Sequence, residues 1–272
     1  MKNDFYRDKV VVVTGGSSGI GLALAKQFAQ QHARLILIAR DEEKLQAAKI
    51  IAEKNGAASV FPISIDITDN AAVIATIKKI AEQFEKIDVV INCAGIMTCG
   101  RFKDQPVKNL ERCLLTNYLG AVYISKAAWP WLKKSEGQLS FVSSVAGYMG
   151  LIGHSSYAPS KFAIVGLAEC LRMEAKDDNI RVSVIYPPDT DTPMLRYERK
   201  HTLPESTALS KSIKEKSPDK VAEIYLKGLQ QNKFEIYCDI DSRAVRLLKN
   251  NFPGLVFSVT QRIIRKARKK AG

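Results

Sequence analysis

Paired cysteines, clustered histidines and long apolar runs are all missing from this chain. The five cysteines (Cys93, Cys99, Cys113, Cys170 and Cys238) are odd in number and contain no C-x-x-C pair. A disulfide framework or a zinc site is therefore not expected, and they read as reduced, mostly buried small residues. His32, His154 and His201 show no metal-ligand spacing, so no metal is expected. His154 stands just before a tyrosine of interest below; rimming a substrate pocket is the alternative for it, and a surface residue is the expectation. No apolar stretch approaches the roughly 20 residues that a membrane-spanning helix needs. The polar opening Met1 to Asp8 leads straight into an apolar run and lacks the pattern of a secretory leader. A cytoplasmic location is the expectation.

What is present points to an α/β protein. At 272 residues and 46% hydrophobic composition, the chain suits one large domain with a sizeable core. Strand-like apolar runs at 10–13, 35–39, 60–65, 89–92, 139–142 and 182–185 alternate with helical patterns. The helices are expected from Gly19, over 42–54, from Thr68 or Asp69 to about Phe84, over 107–133 and over 157–176. Such alternation predicts a doubly wound parallel sheet of the Rossmann type. Ligands of these sheets bind beyond the carboxyl ends of the strands. Thr14, Arg40, Asp66, Asn92, Ser144 and Pro187 fall near those ends. Residues 194–217 are polar, without clear periodicity, and are expected as a substrate loop. Residues 1–240 would form the domain and 241–272 an appended tail.

The run Val10 to Thr14 ends in Gly15-Gly16-Ser17-Ser18-Gly19-Ile20-Gly21, and a helical pattern follows at once. Strand, glycine-rich turn and helix in that order cradle a dinucleotide pyrophosphate. Glycines admit the phosphates, and the helix N-terminus offers free N–H groups and a positive dipole end. Further along, Tyr157 and Lys161 are spaced i, i+4 and share a helix face. They follow a strand ending in Ser143-Ser144.

On these residues the chain resembles the short-chain dehydrogenase/reductase family from about residue 8 to 240. Thr14-Gly15-x-x-x-Gly19-Ile20-Gly21 matches the family's turn. Asn92-Cys93-Ala94-Gly95 matches its Asn-Asn-Ala-Gly, with cysteine in second place. Asn117, Ser144, Tyr157 and Lys161 fall in the order and spacing of its catalytic tetrad. The resemblance implies a ketone reduction in which Tyr157 is the general acid and Lys161 tunes it and holds the nicotinamide ribose. An ammonium beside a phenol, helped by an oxidised nicotinamide, would lower the phenol pKa from about 10. Ser144 would hydrogen-bond the substrate oxygen, with Ser143 as a competitor disfavoured by spacing. Asn117 would hold a water that relays protons through Lys161.

NADPH is the expected cofactor. At the end of the second strand stands Arg40, able to pair with a 2′-phosphate, where NAD enzymes carry a carboxylate. Ser17 could donate to the same phosphate, and Asp41 reads as a helix cap. Contacts are expected from Gly15, Ser17, Ser18, Gly19, Ile20, Arg40, Asp66, Ile67, Asn92, Ala94, Gly95, Tyr157, Lys161, Pro187, Thr190 and Thr192. The segment Tyr186-Pro187-Pro188-Asp189-Thr190-Asp191-Thr192-Pro193 departs from the family's Pro-Gly-x-x-x-Thr by the second proline, which restricts the residue before it. That variant, with Ser160 to Ile164 and Gly166 to Glu169, resembles the 3-ketodihydrosphingosine reductase branch. The chain is shorter than the eukaryotic members and lacks their long hydrophobic C-terminal region. The branch implies reduction of 3-ketodihydrosphingosine to dihydrosphingosine. Another ketone, such as a β-ketoacyl thioester or a steroid, and a non-catalytic NADP-sensing module are the alternatives.

The formal charge of +13 is uneven. From Arg243 onward there are nine lysines or arginines and no acid. Val256, Val259, Ile263 and Ala267 mark one face of a helix, crowded by Arg262, Arg265, Lys266, Arg268, Lys269 and Lys270. Such an end suits peripheral contact with an anionic membrane surface; packing on the domain or on a partner subunit is the alternative. Nucleic acid is not expected, because base-stacking aromatics and a binding motif are missing. Trp129 and Trp131 read as packing anchors on a helix that the resemblance makes a subunit interface, so a dimer or tetramer is expected.

Overall fold

A computed structural model of the chain describes residues 4–211 and 213–271. Strands β1 (Val10–Thr14), β2 (Arg34–Ala39), β3 (Ser59–Ser64), β4 (Val89–Asn92), β5 (Gln138–Val142), β6 (Arg181–Tyr186) and β7 (Glu235–Tyr237) form one parallel sheet in the order β3-β2-β1-β4-β5-β6-β7. The short β7 has no counterpart among the expected runs. Helices α1 (Gly19–Ala29), α2 (Glu42–Lys54), α3 (Asn70–Phe84), α4 (Val107–Leu114), α5 (Gly120–Ser135), α6 (Tyr157–Glu174) and α9 (Pro218–Gln230) cover its two faces.

Alternating side chains of the same strands enter two cores. Val11, Val13, Leu35 and Leu37 pack with α1, α2 and α9. Val10, Val12, Ile36 and Ile38 pack with α3, α5 and α6. Burial on both faces is why these strands read as unbroken apolar runs. The register aligns their carboxyl ends: Thr14 pairs with Asn92, Asn92 with Phe141, and Val142 with Ile185. The turns after β1, β4, β5 and β6 therefore meet at one edge. There the strand order reverses between β1 and β4, which opens a crevice.

Caps set the helix starts. Asp41 and Asp69 accept the amides of Lys44 and Ala72 at the heads of α2 and α3. Ser18, before α1, makes no such bond. Residues 107–133, expected as one helix, are interrupted by a π-helical turn at Leu115–Leu119. Residues 194–217 hold two short helices, α7 (Pro193–His201) and α8 (Pro204–Ser210), each with proline in its first turn. Residues 241–272 hold most of α10 (Ile240–Asn251) and α11 (Pro253–Ala271). The Tyr148 hydroxyl donates to the Ser242 carbonyl at 2.8 Å, fixing α10 to the body, and α11 packs on α8. Among the described residues no helix is long and apolar enough to cross a membrane.

Candidate active site

The first turn is shaped by close approach. Gly15 (φ +68°) lies so near Ala94 that a Cβ would sit 2.9 Å from its Cα, and a Cβ on Gly21 would come within 2.2 Å of the Gly15 carbonyl oxygen. Any larger residue at either place would push strand, turn and helix apart. Thr14 ties this turn to the next: its Oγ1 accepts from the amides of Cys93 and Ala94, both at 3.1 Å. Because Ser18 does not cap α1, and its first turn holds no acid, the leading N–H groups face the crevice free. This turn fits a pyrophosphate.

A cleft of about 640 Å³ opens above it. Of the expected cofactor contacts, Gly15, Ser18, Gly19, Ile20, Ala94, Gly95, Tyr157, Lys161, Pro187, Thr190 and Thr192 line it. Ser17, Arg40, Asp66, Ile67 and Asn92 do not. Arg40 and Asp66 lie side by side at the ends of β2 and β3, 3.9 Å apart, both exposed. The Ile67 side chain turns into the core against Gly120. Asn92 donates to Ser125 at 3.0 Å, while its Oδ1 is buried with no hydrogen-bond partner.

Tyr157 opens α6, and Lys161 follows one turn later; both are buried. The Lys161 Nζ lies 5.6 Å from the Tyr157 ring centroid and donates to the Val142 carbonyl at 2.9 Å. The Tyr157 hydroxyl faces Ser144, which also lines the cleft. Ser143 is buried and donates to the Lys161 carbonyl at 3.1 Å, so it serves the scaffold. Burial raises the Tyr157 phenol well above its ordinary value; Ser144 opposes the rise and the Glu198 carboxylate adds to it. The expected lowering by Lys161 is not among the effects that set this shift; burial dominates and favours the protonated phenol. Burial also pushes the Lys161 ammonium down to about 8.

Asn117 sits in the π-helical turn, which aims its side chain inward. Its Oδ1 accepts from the Ile96 amide at 2.7 Å; its Nδ2 donates to the Ile96 carbonyl and Ser160 Oγ, both at 2.9 Å. The side chain thus clamps the turn after β4 to α6. A Cβ on Gly95 would lie 3.2 Å from the Asn117 Oδ1 and 3.5 Å from the Lys161 Nζ, so glycine there lets the two approach.

His154 is a correction: it is buried and lines the cleft. Its Nδ1 lies 3.0 Å from the Ile152 carbonyl and its Nε2 2.9 Å from Glu198, two acceptors that call for a proton on each nitrogen. Burial pushes its pKa down, but Glu198 outweighs this and the net shift is upward. Asp189, also lining the cleft, is pushed up to about 6 by burial and the nearby Glu198 charge. Sequence reading missed Glu198, Thr260 and Ile263 as cleft residues because each comes from an element whose placement only the tertiary packing decides. Of the cysteines only Cys113 and Cys238 are buried, and Cys170 is exposed, which corrects the expectation of mostly buried thiols.

The profile of the short chain dehydrogenase family matches residues 9–203. The 3-dehydrosphinganine reductase of Danio rerio is 42% identical over 229 residues, spanning 82% of this chain and 69% of its own. The 3-ketodihydrosphingosine reductase of Mus musculus is 43% identical over 229 residues with the same coverage. Among solved structures, a short-chain dehydrogenase from Sphingobium yanoikuyae in complex with NADPH is similar at TM-score 0.77 and 25% identity, covering 91% of this chain and 95% of that one.

Proposed function

This chain belongs to the short chain dehydrogenase family, and on that footing we propose that it reduces the ketone of 3-ketodihydrosphingosine to dihydrosphingosine with NADPH. The observation that carries the reading is the buried Tyr157 beside the half-buried Ser144 in a cleft that also holds Lys161 and the pyrophosphate-fitting turn. When bound, NADPH supplies the hydride to the carbonyl carbon. Tyr157 gives its proton to the carbonyl oxygen, and Ser144 steadies the charge that develops there. Lys161 would hold the ribose, and its ammonium would favour the phenolate left behind. Asn117 keeps the turn after β4 seated against α6 and would hold the water that relays protons through Lys161.

Arg40, exposed and only loosely paired with Asp66, is suited to the 2′-phosphate, with Ser17 as a second donor. Asp66 and the Ile67 backbone would meet the adenine, and Asn92 would brace the crevice through Ser125. Asp41 is occupied as the cap of α2 and offers the ribose little. Residues 1–240 would carry cofactor and catalysis, with 241–272 adding an outer wall and a membrane-facing surface. The exposed apolar side chains Leu247, Leu248, Phe252, Leu255 and Phe257, with the exposed basic residues of α11, support peripheral contact with a membrane. Leu114 and Leu115, exposed between α4 and α5, support packing of a second copy there.

The test follows NADPH absorbance with detergent-dispersed 3-ketodihydrosphingosine, a β-ketoacyl thioester and a steroid ketone. Preference for the sphingoid ketone by tenfold or more in kcat/KM is expected. Equal turnover of all three, or none of the first, overturns the substrate.

A further inference from the structure

A groove of about 690 Å³ leaves the catalytic cleft between the start of α6 and the inner face of α11. The two spaces share Leu151, His154 and Thr260 as lining, so they lie side by side and meet at these residues. Ile152 and Phe162 form one wall; Phe257, Gln261 and Ile264 form the other. The α11 residues that line it, 257, 260, 261, 264 and 268, recur at i, i+3, i+4, i+7 and i+11, one stripe of a helix. At 1.5 Å per residue that stripe is about 16 Å long.

Chemistry narrows the occupant. The charged side chains along the groove, His154 and Arg268, are each tied to a carboxylate: Glu198 at 2.9 Å and Glu205 at 2.9 Å. The remaining walls are predominantly apolar, so a charged or strongly hydrogen-bonding ligand meets few free partners and a hydrocarbon meets what it needs. Phe162 and Phe257 stand exposed at the rim, with Lys249 reaching over the Phe162 ring at 5.7 Å.

We propose that this groove holds the alkyl chain of the ketone, and that α11 is the wall that sets the chain-length preference. The inference rests on the long-chain ketone reading of function and adds where the chain goes. Each methylene buried there strengthens binding by up to about fourfold. Preference should climb with chain length until the groove is filled and then level off.

The experiment is a series of 3-keto sphingoid bases of increasing chain length, assayed with the wild type and with Gln261→Trp, which fills the groove from a partly exposed position. Expected is a wild-type kcat/KM that rises with length, and a long-to-short ratio at least tenfold lower in the variant. An equal loss at every length overturns the proposal. A second measurement does not depend on turnover. An octadecan-3-one probe with a terminal diazirine is photolysed on the wild type with NADP present, and the adducts are mapped by mass spectrometry. Labels on Phe162, Phe257 or α11 support the groove; labels confined elsewhere overturn it. If no sphingoid ketone of any length is reduced, the substrate reading fails, and the label still decides the groove.

Discussion

Tyr157 and Lys161 are buried ionisable groups in direct neighbourhood, and burial acts on both in the direction of the neutral form. Tyr157→Phe should lower kcat by about 10²–10⁴ while the fluorescence titration of NADPH changes only a few-fold, because the ring stays and only the proton donor leaves. A variant retaining near-normal turnover would remove Tyr157 from the chemistry. For Lys161 the linkage has a definite sign. Its pKa falls from 10.5 to about 8 on folding, so between those values the unfolded chain binds the extra proton and stability rises with pH. The cost of burying the ammonium is full below about 8 and gone above 10.5, with an upper limit on the order of 3 kcal/mol. Urea unfolding of wild type and Lys161→Met should show the variant's relative stability greatest near pH 7 and shrinking towards pH 9.5; a difference flat in pH overturns this. These residues could be read from the sequence because their spacing on one helix face is local. His154 could not: whether it faces water or Glu198, 44 positions away, is decided by tertiary packing.

The β-α alternation survives almost element for element because parallel strands buried on both faces announce themselves as β-branched runs. The last third is harder to read, and for a physical reason. Helices α7 and α8 are short and polar, and they are started by Thr192-Pro193 and Leu203-Pro204 rather than by an apolar stripe. In α11 the expected apolar face of Val256, Val259, Ile263 and Ala267 is rotated: Val259 is 49% exposed, whereas Ile264 is 4% exposed. α11 docks through Arg268 as well as through hydrocarbon. Glu205, buried at the foot of α8, accepts from Arg101 at 2.6 Å and from Arg268 at 2.9 Å. Those two bonds hold its carboxyl at about 2, below its usual value. The latch is therefore complete above the ordinary glutamate pKa and is lost as pH falls towards 2. Arg268→Ala should speed hydrogen exchange across α11 several-fold while β1 and β4 keep their protection. Unaltered exchange in α11 would mean that hydrocarbon packing alone holds it.

On the scale of the whole molecule, α10 and α11 expose both charge and hydrocarbon. Leu247 and Leu248 of α10, Phe252 at the junction, and Leu255, Phe257 and Val259 of α11 are exposed, Phe257 at the rim of the groove. Arg262, Arg265, Lys266, Lys269 and Lys270 are exposed along the same helix. Each basic side chain near an anionic surface is worth about 1 kcal/mol, and the apolar side chains add burial in the interfacial zone. A ketone dissolved in a bilayer would then enter the groove at its rim and reach Tyr157 without crossing bulk water. Replacing Arg262, Lys266 and Lys269 with glutamate should weaken co-sedimentation with phosphatidylserine vesicles by about a hundredfold or more, since three attractions become repulsions. Raising the salt concentration should weaken the wild type in the same direction, because exposed charges are screened over a Debye length of about 10 Å at 0.1 M. Reduction of a short-chain ketone in solution should change little beside that loss, since none of the three substituted residues lines the cleft or the groove. Vesicle binding by the triple variant equal to that of the wild type would assign the basic face to another role and leave the groove to take its ketone from water or from a carrier.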